Sequence, residues 1–133
     1  MAFQPDGKLL SRLAEPLAWL TTVTPTNRPA PRPIWFLYDG AAIVVFSQAD
    51  AAKIKHIRAN PNVSLHFNTD ADGGDVHVIT GTAEIVDGIL PSTLPGYLDK
   101  YGSMYERVGY TVASFDETFS LGIRITPERH WGF

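Results

Sequence analysis

The residues best suited to chemistry lie in one segment, residues 47–58, where a predicted strand passes into a predicted helix. The start of a helix presents unpaired N–H groups and the positive end of the helix dipole, and both suit a phosphate group. Lys53 lies in the first turn and can reach back to such an anion, while Ser47 and Gln48 can donate side-chain hydrogen bonds. Lys55 points to a different side of the helix. The segment predicts an anion site, and the alternative is a solvated basic helix face.

Arg32 and His77 are two further candidates, each on a predicted strand. Arg32 lies among prolines and can meet an anionic tail, or it can be an edge-strand charge that discourages aggregation. His77 can line a pocket, or it can be a wall histidine with its hydrogen bonds satisfied. The four histidines lack metal-ligand spacing, and residues 68–73 begin like a calcium loop but have Ile79 where the bidentate glutamate belongs. We therefore expect no metal site.

No residue pattern indicates a nucleophile supplied by the protein. The chain has no cysteine, which excludes disulfides, a zinc–thiolate site and a catalytic thiol. It also lacks the nucleophile elbow of hydrolases, a phosphate-binding glycine loop and a dinucleotide-binding fingerprint. We therefore assign no catalytic residue, and if the protein is an enzyme we expect a bound cofactor to carry the chemistry.

Length and charge limit the classes of protein that remain. The 133 residues correspond to a single domain over 1–133. The net charge of −3 disfavours general nucleic-acid binding, which requires a basic face. No apolar run is long enough to span a bilayer, and the polar first residues do not read as a signal peptide. We expect a cytoplasmic protein without membrane insertion.

Helix and turn signals divide the chain into short elements. The predicted helices cover 7–14, 51–59, pieces of 91–108, and 111–117. Asp6 and Asp50 are the predicted caps of the first two helices. Asp39-Gly40 predicts a type I′ hairpin turn, and Gly81 predicts a bulge or a close backbone approach. These elements must position the candidate residues.

The remaining segments have the features of strands, either β-branched and aromatic residues or an alternation of polar and apolar residues. Six strands are predicted, over 17–24, 34–38, 41–47, 63–67, 75–86 and 119–125. Tight turns join them, so the sheet is mainly antiparallel and the fold is a mainly β barrel with short helices. Pro31 and Pro33 cannot donate to a ladder and indicate a sheet edge or a bulge. Pro127 is expected to end the last strand.

Two neighbouring strands are apolar on both faces, over 34–38 and 41–47. One face can fill the barrel, and the other must be covered by a helix or by a second subunit because large exposed apolar patches mark interfaces. A homodimer is therefore one of two expectations for this face.

Four stretches together resemble the pyridoxamine-phosphate-oxidase-like split-barrel superfamily: 31–40, 44–47, Lys53 and 60–65. The most specific parts read P-x-W-F-x-Y-D-G, over residues 33–40, and N-P-x-V-S-L, over residues 60–65. Within the superfamily, the chain is most similar to the mycobacterial and actinobacterial branch of deazaflavin-dependent reductases, which use coenzyme F420. The resemblance covers nearly the whole chain.

This resemblance implies a six-stranded antiparallel split β-barrel of the FMN-binding type, homodimeric, with two cofactor sites at the subunit interface. It implies that the backbone around Pro33, Ile34 and Trp35 approaches a flavin-like ring. It also implies that Trp131 in the C-terminal tail reaches the ring region of the neighbouring subunit, with simple interface packing as the alternative.

The resemblance further implies that Ser47, Gln48 and Lys53 hold the phosphate end of the cofactor, and that Lys55 or Arg32 meets the anionic tail. The chain departs from the phosphate oxidase proper, because no lysine follows Arg32 before Lys53 and no C-terminal arginine pattern is present. These departures disfavour vitamin B6 oxidation.

The function implied is a reductase that transfers a hydride from reduced coenzyme F420 to an unsaturated organic acceptor, such as an enone, a quinone or a coumarin-like lactone. Two alternatives stay open. The same phosphate cradle can hold FMN in an FMN-dependent oxidoreductase, or the protein can bind a cofactor or a tetrapyrrole without catalysis.

Overall fold

The computed structural model describes residues 3–133, which form one antiparallel sheet of seven strands. The strands are β1 (Ala18–Val23), β2 (Pro29–Ile34), β3 (Leu37–Tyr38), β4 (Ile43–Ser47), β5 (Asn62–His66), β6 (His77–Val86) and β7 (Leu121–Gly132). Their order across the sheet is β2-β1-β5-β6-β7-β4-β3. The mainly β, antiparallel prediction is confirmed. The count of six strands is wrong, because the predicted strand 34–38 is broken at Trp35 and Phe36, and a separate strand precedes the break.

The sheet curls until its two edges almost meet. The edge strands β2 and β3 are consecutive in the chain, so the step from Ile34 to Leu37 must cross the gap between the edges. Three residues reach at most about 11 Å, whereas seven strands laid flat would separate the edges by about 29 Å. The result is a barrel-like sheet that is split between β2 and β3.

The edge position of β2 explains its composition. Every second residue of β2 is a proline, at positions 29, 31 and 33, so the backbone nitrogens of all three point to the same side of the strand. Within residues 3–133, β2 pairs with β1 alone, and its other side is the open edge of the sheet. The missing N–H groups of the prolines therefore cost no ladder hydrogen bond if they face the open edge. The prediction that this proline-rich stretch lies at a sheet edge is confirmed.

The last strand is longer than predicted. It does not end at Pro127 but runs on to Gly132, paired with β6 throughout. The register shifts where Gly81 pairs with Pro127, and a Cβ at Gly81 would lie 2.1 Å from the carbonyl oxygen of Thr126. The predicted close backbone approach at Gly81 is confirmed, and this bulge accommodates the proline that was expected to stop the strand.

The helices are α1 (Gly7–Leu13), α2 (Ala52–Ala59), α3 (Tyr97–Tyr101) and α4 (Val112–Thr118), with 3₁₀ turns at Gly102–Met104 and Glu106–Val108. Asp6 caps α1, accepting from the N–H of Leu9 at 2.8 Å, as predicted. The predicted cap of α2 is wrong, because the N-cap residue is Ala51 rather than Asp50 and no side chain caps the helix. Among residues 3–133, no helix is long and apolar enough to cross a membrane.

The hairpin between β3 and β4 also differs from the prediction. Tyr38 pairs with Ile43, so the loop is longer than a two-residue type I′ turn, and Gly40 has a positive φ while Asp39 does not. The Asp39 carboxylate instead accepts from the N–H groups of Ala41 and Ala42. Side-chain hydrogen bonding to the backbone has replaced the tight turn.

Strand β4 is buried on both faces and separates two apolar layers. Ile43 and Val45 point into the barrel, while Val44 and Phe46 pack under an outer layer that includes Tyr97 of α3. The outer face is therefore covered by helices of the same chain, which is one of the two predicted solutions. A second subunit is not required to bury this face.

Candidate functional site

Two adjoining cavities open at the split of the barrel, and both are lined by Pro33 and Lys53. The first, here called the aromatic cavity, has a volume of about 380 Å³. Its ring-bearing walls are Trp35, Phe46, Tyr97, Tyr110, Phe115 and Phe119. The second, here called the basic cavity, has a volume of about 290 Å³. Its polar walls are Thr22, Arg32, Lys53 and His56.

The basic cavity lies at the N-terminus of α2. Ala51, Ala52 and Lys53 all line it. Because no side chain caps this helix, the N–H groups of Ala52 and Lys53 have no acceptor within residues 3–133. Free N–H groups and the positive end of the helix dipole face the same cavity, which is the arrangement that binds anions.

The cations of the basic cavity have no acidic partner. No carboxylate lines this cavity, and neither Arg32 nor Lys53 forms an ion pair with any described residue. Burial lowers the pKa of Lys53, and the charge of Arg32 lowers it further. Within residues 3–133, the Arg32 guanidinium donates only to the carbonyl of Pro31, at 2.7 Å. An anion in the cavity would relieve this repulsion between like charges.

His56 is a wall residue that sequence reasoning missed. Its Nδ1 lies 2.8 Å from the hydroxyl of Thr22, and both residues line the basic cavity. His56 follows Lys53 by three positions on α2, so both side chains lie on one helix face. That spacing is the signal that could have found it.

The aromatic cavity is walled by rings in parallel and edge-on contact. The Trp35 indole stacks on Tyr101, with centroids 4.5 Å apart and planes inclined by 4°, and also on Phe115. Tyr97 packs edge-on against Phe46. Such walls suit a flat conjugated molecule.

Two phenols bring polar groups into this apolar surrounding. Tyr97 and Tyr110 line the cavity, and neither hydroxyl has a hydrogen-bond partner in the described part of the chain. Burial raises the pKa of Tyr97, with smaller contributions from Tyr105 and Tyr101. The phenol of Tyr97 therefore stays protonated at physiological pH and is available as a hydrogen-bond donor.

The structure brings together half of the residues predicted for the site. Arg32, Pro33, Ile34, Trp35 and Lys53 line one or both cavities. They meet because β2 ends at the split, directly beside the start of α2.

Ser47, Gln48 and Lys55 line neither cavity. Ser47 is buried at the end of β4 and its hydroxyl donates to the carbonyl of Gln48 at 2.9 Å, while Gln48 and Lys55 are exposed. Their roles in cofactor binding stay predictions.

His77 lies in a different cluster. Its Nε2 is 3.0 Å from a carboxylate oxygen of Asp75, and its Nδ1 is 3.1 Å from Nε2 of His130. Asp75 in turn pairs with Arg12 of α1 at 2.6 Å. This arrangement matches a wall histidine with satisfied hydrogen bonds. Within residues 3–133, no group of three or more metal-ligating side chains could hold a metal ion.

Trp131 lies near the end of β7 and is 63% exposed. It lines neither cavity of its own chain. Its predicted contact with a neighbouring subunit therefore stays a prediction.

Comparisons with known proteins identify the family. The profile of the pyridoxamine 5'-phosphate oxidase family matches residues 8–129, nearly the whole chain. The chain belongs to this family. No curated protein matches it.

Solved structures with the family's fold cover almost all of the chain. One is an F420 reductase, with 23% identity over 96% of this chain and 98% of that one and a TM-score of 0.73. A putative pyridoxamine 5'-phosphate oxidase from Listeria innocua has 22% identity over 93% and 94%, with a TM-score of 0.68. HutZ, the heme storage protein of Vibrio cholerae, has 17% identity over 99% and 95%, with a TM-score of 0.65. These likenesses establish the fold of the chain.

Proposed function

We propose that the protein is a reductase that uses coenzyme F420 and transfers a hydride from the reduced deazaflavin to an unsaturated organic acceptor. The observation that carries the proposal is the pair of adjoining cavities that share Lys53. One holds uncompensated positive charge and the other has flat aromatic walls. A molecule with an anionic group linked to a conjugated ring fits this pair. The similarity to an F420 reductase supports the choice of cofactor.

The residues of the basic cavity suit the phosphate end of such a cofactor. The ammonium of Lys53, the guanidinium of Arg32 and the N–H groups at the start of α2 would bind it, and His56 would add a hydrogen bond. The reduced deazaflavin, when bound, supplies two-electron hydride chemistry. The backbone at Pro33–Trp35 would approach its ring, as the family resemblance implies.

The aromatic cavity would hold the cofactor ring, and the acceptor would lie beside that ring at the cavity's open side. The rings of the cavity walls exclude water from the reacting atoms, and the hydroxyls of Tyr97 and Tyr110 can donate to a carbonyl oxygen of an enone, a quinone or a coumarin-like lactone. A hydrogen bond at that oxygen stabilises the negative charge that hydride addition places there.

We propose further that the active form is a cytoplasmic homodimer. Leu17 and Val108 at the rim of the aromatic cavity are 48% and 47% exposed, and Trp131 in the tail is 63% exposed. In a dimer, Trp131 of a second copy would cover this rim. Gln48, which is exposed just before α2, would contact the remainder of the cofactor tail.

Two other functions are supported by specific observations. The family match favours an FMN-dependent oxidoreductase, since FMN also combines a phosphate with a conjugated ring. The similarity to a heme storage protein favours a non-catalytic tetrapyrrole binder. Among residues 3–133, no histidine, cysteine or methionine lines the aromatic cavity, so Tyr97 or Tyr110 would be the iron ligand for a haem bound there by this part of the chain.

Separate titrations of the purified protein with coenzyme F420, FMN and haem test these proposals. A charged hydrogen bond contributes roughly 1.5–3 kcal/mol, so we expect Lys53→Ala to weaken deazaflavin binding at least about tenfold. Lys55→Ala, on the exposed side of the same helix, is the matched control and should bind as the wild type does. Preference for FMN or haem would move the assignment to that alternative.

A turnover assay tests whether the protein is a reductase. Reduced coenzyme F420 is mixed with the protein and a panel of enones, quinones and coumarins, and its oxidation is followed by absorbance. We expect oxidation with at least one acceptor, slower in the Lys53→Ala variant below saturation. Tight cofactor binding without any oxidation would contradict the reductase and favour a binding protein.

A further inference from the structure

Phe36 lies at the break between β2 and β3, where the sheet offers its backbone no partner. Side chains of α3 replace that partner. The N–H of Phe36 donates to the hydroxyl of Tyr101 at 2.9 Å, and its carbonyl accepts from Nζ of Lys100 at 2.7 Å. The Tyr101 hydroxyl in turn faces the carbonyls of Pro16 at 2.7 Å and Phe36 at 3.0 Å. One phenol therefore ties the break to the segment before β1.

Lys100 is held in this place although burial opposes its charge. Its Nζ lies 3.7 Å from the centroid of the Phe36 ring, and it has no ion pair with any residue in 3–133. Burial lowers the pKa of Lys100 to about 8. A lysine desolvated without a carboxylate partner costs folding free energy. The Lys100 ammonium donates to the backbone carbonyl of Phe36. This costly contact indicates that the position of the Phe36 backbone is important.

The same phenol fixes the wall of the aromatic cavity. Trp35 precedes Phe36, and its indole lies flat on the Tyr101 ring, with 4° between the planes. Tyr101 thus binds the peptide that follows Trp35 and supports the indole itself. Neither Lys100 nor Tyr101 lines the aromatic cavity.

We propose that Lys100 and Tyr101 are positioning residues of the cofactor site: they clamp the Phe36 peptide and so keep Trp35 flat in the wall of the aromatic cavity. The effect on the cofactor rests on the proposed function, whereas the effect on Trp35 does not. The clamped residue, Phe36, directly follows the backbone at Pro33–Trp35 that the cofactor ring is proposed to approach.

Tyr105 supplies a matched control. Its ring is also parallel to Trp35, at 6.3 Å and 6°, and it is also buried, but its hydroxyl has no hydrogen-bond partner in the described chain. Tyr101→Phe and Tyr105→Phe therefore remove the same atom from two rings beside the same indole, and only the first removes the clamp.

The first measurement needs no cofactor. Amide exchange and the indole N–H resonance of Trp35 are recorded by NMR, with the amide of Val45 in β4 as the reference for global unfolding. We expect Phe36 to exchange at least about tenfold faster in Tyr101→Phe relative to Val45, and the Trp35 resonance to shift. Lys100→Met should shift the same resonance, whereas in Lys100→Arg the Trp35 resonance should stay at its wild-type position because the guanidinium can still donate to the Phe36 carbonyl. Tyr105→Phe should change neither.

The second measurement is the affinity for coenzyme F420. We expect Tyr101→Phe and Lys100→Met to weaken binding about tenfold, and Tyr105→Phe to bind as the wild type does. If Tyr101→Phe and Tyr105→Phe behave alike in both measurements, the clamp is refuted. If the wild type binds no coenzyme F420, the proposed function fails, and the Trp35 and Phe36 signals still decide whether the clamp exists.

Discussion

Two clusters of basic side chains in residues 3–133 are built in opposite ways: the first surrounds the buried Arg12, and the second joins the exposed Arg32 to the half-buried Lys53. Arg12 on α1 is surrounded by acceptors: Glu15 at 2.9 Å, Asp75 at 2.6 Å and the carbonyl of Asn68. Arg32 and Lys53 face each other across the basic cavity without a carboxylate. A cation that is paired with acceptors of its own protein stabilises the fold. Two neighbouring cations without a carboxylate partner instead favour the binding of an external anion.

The histidines follow the same division. His77 belongs to the Arg12 cluster and is 3% exposed, with both ring nitrogens engaged by Asp75 and His130. His56 lies in the wall of the basic cavity, with Thr22 as its partner. Sequence reasoning selected His77 and passed over His56. The two differ because His77 lies beside the Arg12–Asp75 ion pair, whereas His56 lines a cavity with Lys53 and Arg32, which have no ion pair within residues 3–133.

Removing Arg12 should give the largest effect. Arg12→Met leaves the carbonyl of Asn68 without its donor and Asp75 with His77 as its remaining partner, so we expect the free energy of unfolding to fall by about 2–3 kcal/mol. Urea denaturation measures this loss. The folded fraction should still bind coenzyme F420 with wild-type affinity. A wild-type midpoint for Arg12→Met would contradict the structural reading of this cluster.

Removing Lys53 should lower cofactor affinity and leave stability intact, the reverse of what we expect for Arg12. Lys53→Met removes a partly desolvated ammonium and its repulsion from Arg32, so we expect the free energy of unfolding to stay unchanged or to rise. Deazaflavin binding should weaken at least about tenfold, as one charged hydrogen bond is lost. Urea denaturation and fluorescence titration on the same preparation test both halves, with Lys55→Met as the control. A loss of stability of more than about 1 kcal/mol would show that Lys53 is structural.

His77→Gln should have a smaller effect that falls on stability alone. The amide can replace one of the two hydrogen bonds of the imidazole, so we expect a loss of about 1 kcal/mol in unfolding free energy. Cofactor affinity should stay within about twofold of wild type, because a structural change outside both cavities removes no contact to a ligand. A tenfold loss of affinity would restore His77 to the cofactor site.

The basic cavity should lose affinity at alkaline pH. An anion binds the ammonium form of Lys53, and the pKa of Lys53 is lowered by burial and by Arg32, so binding should weaken as the pH rises, starting below the ordinary lysine value of 10.5. In Lys53→Arg, the guanidinium stays charged and the decline should move to higher pH. Titrations between pH 7 and 10 check this expectation, and an identical decline in both proteins would refute it.

The Arg12 cluster should respond at the acidic end. The hydrogen bond from His77, with a further contribution from Arg12, holds the pKa of Asp75 below its ordinary value of 3.8. Its contribution to stability is therefore present above that value and is lost as the pH falls below it. We expect Asp75→Asn to flatten the acid limb of the stability curve, measured by urea denaturation at several pH values. Equal slopes in both proteins would contradict this.

Much of the fold followed from local signals. Strand-forming residues placed β1 and β4, polar–apolar alternation placed β5, and Asp6 marked the start of α1. The errors came where a distant partner overrides a local rule. Pro127 does not end β7, because the bulge opposite Gly81 accommodates it. Asp39-Gly40 does not form a tight turn, because the Asp39 carboxylate organises a longer loop.

The site was predictable to the extent that its residues cluster in sequence. Lys53 was found from the helix start, and Pro33 and Trp35 from the family resemblance. Tyr97, Lys100 and Tyr101 were missed, because their partners lie far away in the chain; Phe36 and Tyr101 are 65 positions apart. No periodicity links a strand break to a helix at that distance.

The amino-acid sequence by itself determined the antiparallel class, the prolines of the edge strand, the short helices and the absence of a thiol nucleophile, since each depends on residue type and near-neighbour spacing. Only the tertiary structure decided which cations are neutralised. Arg12 meets Asp75 across 63 positions because α1 lies beside the loop that precedes β6. Arg32 and Lys53 meet no acid because β2 and α2 come together where the barrel is split. Charge pairing depends on which strands and helices become neighbours, and that is a property of the whole sheet.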